Sequence, residues 1–216
     1  MRDSYADIAA LAEVDLAAKP KAYSEAMRHA YWDDKDLSAA MAIAWAGISR
    51  LLALAHASDP EQAYELRSQA KALSYDLASF TWAGWDEPGI VITPPEARAG
   101  CAAARANLEL AKELEKAELT RSRAHWILGA HELAAGRPDD ARTNFEAAAT
   151  LAKAAGSEGA SEAKLSRAFV VLSDLAAGAA TAADLSAALD ELRADPDGAV
   201  LVERVRTAQT ALAITS

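Results

Sequence analysis

Apolar residues return every three or four positions along nearly the whole chain, and polar punctuation cuts the pattern into helices. The first stretch, MRDSYADIAALAEVDLAAK, sets Asp3, Asp7, Glu13 and Asp15 among apolar residues and reads as an amphipathic helix. Pro20 opens a second helix through KAYSEAMRHAYW, and the acids Asp33 to Asp36 close it and cap LSAAMAIAWAGISRLLALAHA. Ser58 and Glu61 stand at capping-box spacing, with Pro60 in the first turn of a fourth helix bearing Leu66, Leu73, Leu77 and Phe80. A second box, Thr93 with Glu96, starts a helix running to about Ala117. Two helix pairs follow, RSRAHWILGAHELAAG with PDDARTNFEAAATLAKAAG and SEAKLSRAFVVLSDLAAG with TAADLSAALDELRA, each pair stopped by glycine. DPDG then leads to a last helix with Leu201, Val205, Ala208 and Leu212 on one stripe. Alternating β-branched runs are almost absent, so the fold class is all-α.

One segment departs from this pattern. SFTWAGWDEPGIVITPPEARAG interrupts the helices over residues 83–92, longer than a helix–helix connection needs unless it packs or binds. Phe80, Trp82, Trp85, Ile90, Val91 and Ile92 are its apolar anchors. It serves either as a plug over the end of the first helical layer or as the lid or wall of a groove. The second role puts Asp86 and Glu87 at a rim, makes Gly84 and Gly89 hinges, and requires Trp85 partly exposed with Trp82 covered.

Composition narrows the class. The 216 residues are 52% hydrophobic, and alanine makes up about a quarter of the chain. Alanine favours helix and adds little volume, so the core depends on many close helix contacts. A net charge of −10 makes nucleic acid a poor partner. The single cysteine, Cys101, rules out an intrachain disulfide and reads as a buried structural thiol in a reducing, cytoplasmic setting. The longest apolar stretch, 39–57, is interrupted by Ser49, Arg50 and His56, which argues against a membrane partner.

Within 122–153, Leu128 and Gly129 in one helix and Ala141, Phe145 and Ala148 in the next resemble a tetratricopeptide repeat. His125, Glu132 and Lys153 depart from that pattern. The resemblance implies antiparallel hairpins stacked as a short α-solenoid, the plain helical bundle being the alternative. It divides a single domain, 1–216, into longer divergent pairs over 1–119, repeat-like pairs over 120–195 and a capping helix over 198–216. It also implies that Ser122, Trp126, Ala130 and Leu133 face a concave groove. That line is apolar and suits an apolar or aromatic contact better than a grip on a peptide carboxylate. The other reading packs Trp126 between helices.

No nucleophile elbow, phosphate loop or dinucleotide fingerprint occurs, and no two of His29, His56, His125 and His131 stand three or four residues apart. The sequence therefore names no catalytic residue, metal site or cofactor and gives an enzyme no positive support. Asp76, Asp86 and Glu87 are the acids it leaves free to converge. The expected function is a protein- or peptide-interaction module, compatible with self-association, with Trp82, Trp85, Asp86, Glu87, Ser122, Trp126 and Leu133 as candidate binding residues. A small-molecule or peptide sensor closed by the tryptophan loop, or a helical enzyme without a familiar motif, is the alternative.

Overall fold

The computed structural model describes residues 4–16, 19, 21–195 and 197–215. The expected start of the second helix at Pro20 lies outside them. The described residues contain ten α-helices and no strand: α1 Ser4–Ala12, α2 Ala22–Trp32, α3 Leu37–His56, α4 Pro60–Phe80, α5 Pro94–Glu113, α6 Glu118–Ala134, α7 Pro138–Ala154, α8 Ala160–Ala176, α9 Ala182–Arg193 and α10 Gly198–Ala211. Each helix from α2 to α9 packs on the next, and α2, α4, α6 and α8 also touch one another or α10 in alternate order. That contact pattern makes two layers, α2, α4, α6, α8 and α10 in one and α3, α5, α7 and α9 in the other.

Local signals account for most boundaries. Asp36 accepts a hydrogen bond from the Ala39 amide at 2.9 Å, and the Glu96 carboxylate accepts from the Thr93 amide and hydroxyl at 2.7 and 2.6 Å. At the start of α4 the cap is Asp59, which accepts from the Gln62 amide at 3.0 Å, while Ser58 turns back to the Leu54 carbonyl. The expected Ser58–Glu61 box is thus displaced by one residue, Asp59 taking the cap position while the Ser58 hydroxyl is engaged at the end of α3. The helix expected to run to Ala117 ends at Glu113, where Glu115 takes a left-handed backbone (φ 47°). No glycine or proline marks that turn. Gly136, Gly156 and Gly178 close α6, α7 and α8 at positive φ.

Small residues set the helix spacing. A Cβ on Gly129 would lie 3.1 Å from the Ala141 carbonyl and the Phe145 ring, so α6 and α7 close onto each other there. Ala141, Phe145 and Ala148 are fully buried. By length and composition α3 is long and apolar enough to cross a membrane, contrary to the reading of 39–57 as too broken. Nine of its residues are buried against the packed helices, and the Arg50 guanidinium caps the end of α1 by donating to the Leu11 and Val14 carbonyls, both at 2.8 Å.

The end of α4 is held by side chains from elsewhere. The last carbonyls of a helix lack amide partners within it. Here the His131 ring, from α6, donates Nε2–H to the Ala78 carbonyl at 2.8 Å, and the Trp85 indole donates to the Ser79 carbonyl at 2.9 Å. Trp82 returns the bond by donating to the Ala130 carbonyl of α6 at 2.9 Å. Burial keeps the His131 imidazole neutral and lowers its pKa to about 4, against the opposite pull of its bond to the Ala78 carbonyl and of the Glu132 charge.

Folded His131 binds a proton less readily than the unfolded residue, so its contribution is intact above pH 6.5 and is lost as pH falls toward 4. Denaturant titrations at pH 7 and pH 5 are expected to show wild type losing about 2 kcal/mol more than His131→Gln, whose amide keeps a donor for Ala78.

Candidate functional site

The layer of even-numbered helices encloses a hollow with two adjoining compartments. The larger, about 530 Å³, runs between α2, α4 and α6, with Arg28, Lys71, Tyr75, Asp76 and Arg123 among its walls. The smaller, about 240 Å³, runs between α4, α6, α8 and α10 and includes Trp85, Trp126, Glu162 and Arg204. Tyr75 and Arg123 line both, so they form the ridge between the compartments.

The smaller compartment is built on an aromatic stack. Trp82 is 1% exposed and meets Trp85 edge-on at 4.7 Å and Trp126 at 5.3 Å. Trp85 lies nearly parallel to Trp126 at 5.9 Å, and Trp126 meets Phe169 edge-on at 5.1 Å. On its other side Trp85 carries the Arg204 guanidinium of α10, 5.1 Å from the ring centroid. Gly84 is buried under the Trp82 indole, where a Cβ would come within 2.3 Å of the ring, so this point is packed and does not act as a hinge. The Trp126 N–H is buried beside this compartment with no hydrogen-bond partner among the described residues.

The connection therefore does two things. Trp82 is a core residue, while Trp85 is half-buried and forms a wall. Asp86 is exposed at φ 49°, and Glu87 pairs with Lys35 at 2.7 Å, which ties the connection to the α2–α3 turn. Asp76 pairs with Arg28 at 2.9 Å, so the three acids left free to converge have separate surroundings. α10 packs on α8, α9 and the turn 83–85, so the last helix leans across the array to the connection.

Of the line expected to face the groove, Ser122 and Trp126 are both buried at the wall of the smaller compartment, Ser122 donating to the Ala148 carbonyl at 2.8 Å, whereas Leu133 is a core residue away from it. α6 presents Thr120 and Arg123 to the larger compartment and Ser122, Arg123 and Trp126 to the smaller. The hollow is accordingly more polar and more basic than the apolar line implied. Trp32 is 49% exposed and stands edge-on to Tyr31 and Phe80. Lys71, Tyr75, Arg123, Glu162 and Arg204 escaped the sequence reading because they come from four different helices and meet only in the fold.

Charge in the hollow is unevenly compensated. Arg123 donates twice to Glu162, at 3.0 and 2.6 Å. Among the described residues Lys71 has no carboxylate within ion-pair distance, and it lies 5.6 Å from the Tyr75 ring centroid. Burial, followed by repulsion from Lys116 and Arg123, lowers its pKa to about 8, with Asp76 acting in the opposite sense. Burial likewise raises the Tyr75 phenol and lowers the Arg204 guanidinium from their ordinary values.

Outside the hollow, Cys101 is buried near the Glu132 carboxylate (3.8 Å), and burial followed by that charge raises its pKa. Glu132 is itself buried and held by Arg105 at 2.8 Å and by Arg137. Among the described residues no group of three or more His, Cys, Asp or Glu gathers to hold a metal ion. No family model matches the chain, and neither curated proteins nor solved structures give a match.

A half-buried amine crowded by like charges lowers stability, so Lys71→Met is expected to raise the melting midpoint by about 2–4 °C in low salt. The gain should shrink in 0.5 M salt, which screens the repulsive part. A calorimetric scan of both proteins at two ionic strengths measures it.

Proposed function

We propose that the chain is a tetratricopeptide-like interaction module whose hollow receives a segment of a protein or peptide partner. The observation that carries this reading is the continuity of the hollow across alternate helices: Tyr75 and Arg123 belong to both compartments, so a single extended segment can occupy both. A basic compartment beside an aromatic one suits a segment with an acidic group followed by a large apolar side chain. Such a segment finds unpaired charge at Lys71 and a ring stack at Trp85 and Trp126. The chain's net charge of −10 limits that attraction to the hollow and disfavours general capture of anions.

The alternative is a sensor of small molecules in the aromatic compartment. It is favoured by the unpartnered Trp126 N–H beside that compartment, a donor suited to an acceptor oxygen of a ligand.

Selection from a random peptide display library on the purified protein tests the first reading. The enriched peptides are expected to combine acidic and aromatic residues and to quench tryptophan fluorescence. They should lose at least tenfold in affinity for Tyr75→Ala and Arg123→Glu while binding Arg206→Glu normally. Peptides that bind the two hollow variants as tightly as wild type would exclude the hollow as the binding face.

A further inference from the structure

The larger compartment has a charge arrangement that asks for more than a carboxylate. Its walls include the cations Lys21, Arg28, Lys71 and Arg123 and one carboxylate, Asp76. Both guanidinium groups, which match carboxylates by their flat paired donors, are already engaged, Arg28 by Asp76 and Arg123 by Glu162. The heads without a carboxylate are ammonium groups. Lys71 has none, and neither has Lys116, whose Nζ instead donates to the Ser68 hydroxyl at 2.6 Å and the Tyr64 hydroxyl at 2.9 Å. Ser68 is itself a wall residue, so it brings the Lys116 charge to the edge of the cavity.

An ammonium is a compact point charge with three donors and no preferred plane. Two such charges, backed by Arg123 and by the hydroxyls of Ser68, Thr120 and Tyr75, match a tetrahedral dianion with three terminal oxygens better than a planar monoanion. An occupant of that charge would also relieve the repulsion that Lys116 and Arg123 exert on Lys71.

We propose that this compartment is a phosphoryl-binding site in which Lys71 and Lys116 supply the charge and Arg123 closes the side toward the aromatic compartment. The proposal rests on the reading of the hollow as the binding face. The phosphoryl group is carried by a phosphorylated side chain of the bound segment or by a free phosphate ester, and the chemistry of recognition is the same in both.

The test is isothermal titration of the full chain in 50 mM salt with three probes: phenyl phosphate, acetate, and an unphosphorylated display-selected peptide paired with its phosphoserine version. Phenyl phosphate should bind at least tenfold more tightly than acetate. Lys71→Gln should cut phenyl phosphate affinity at least tenfold and Lys116→Gln several-fold, with Lys153→Gln unchanged and circular dichroism identical throughout. A phosphopeptide at least tenfold tighter than its parent assigns the group to a polypeptide, whereas phosphopeptide and parent binding equally while phenyl phosphate binds assigns it to a free ester. Acetate equal to phenyl phosphate, or Lys71→Gln without effect on phenyl phosphate, overturns the phosphoryl site. In that event, retained binding of the unphosphorylated peptide leaves the interaction reading standing, and its absence removes that reading as well.

Discussion

The arrangement of the hollow depends on how the end of α4 is satisfied. A helix terminus leaves carbonyls that must find donors, and burying them without donors is costly. Besides the local Thr81 hydroxyl at Leu77 and Ala78, the donors here are rings, His131 at Ala78 and Trp85 at Ser79, and Trp82 reciprocates at Ala130 on α6. Because rings are rigid and must be buried, they fix the direction in which the chain leaves α4. The Trp85 indole that helps complete the helix then walls the aromatic compartment. Packing and binding geometry are thus one structure at residues 82–85, and the alternative between plug and wall divides between two tryptophans rather than between two folds.

The fold was legible to the extent that it is written in local chemistry. Asp36, the Thr93–Glu96 pair and Gly136, Gly156 and Gly178 act where their side chains or backbone preferences say they should. The close fit of Gly129 to Ala141 and Phe145 follows from residue size alone. The turn at Glu115 was not legible because a non-glycine residue adopts the left-handed conformation there, closed by the backbone bonds of Glu115 to Lys112 and of Lys116 to Ala111. The cap at Asp59 was misplaced by one residue because Ser58 and Asp59 compete for the same role.

The site was far less legible. Its polar members are divided among α4, α6, α8 and α10, and no local window contains two of those helices' contributions. On α6 the line through Ser122 and Trp126 reaches the smaller compartment, but Arg123, about 100° further round the helix, was not read. Ser122 and Arg123 are neighbours in sequence, yet one bonds to α7 at the wall of the smaller compartment and the other borders both compartments. Trp85 was identifiable because an aromatic residue in a long connection is conspicuous. Lys71 was not, since a lysine on an amphipathic helix ordinarily belongs to solvent.

A stack in which each helix meets only its neighbours would unravel piecemeal, one hairpin at a time. The guanidinium of Arg204 resting on Trp85 joins segments remote in sequence and turns the row of helices from α4 to α10 into a ring. Loss of any member of that ring removes support from both of its sides. Unfolding of this part of the chain therefore acquires an all-or-none character that a linear array lacks, at the expense of a slower search for the closing contact.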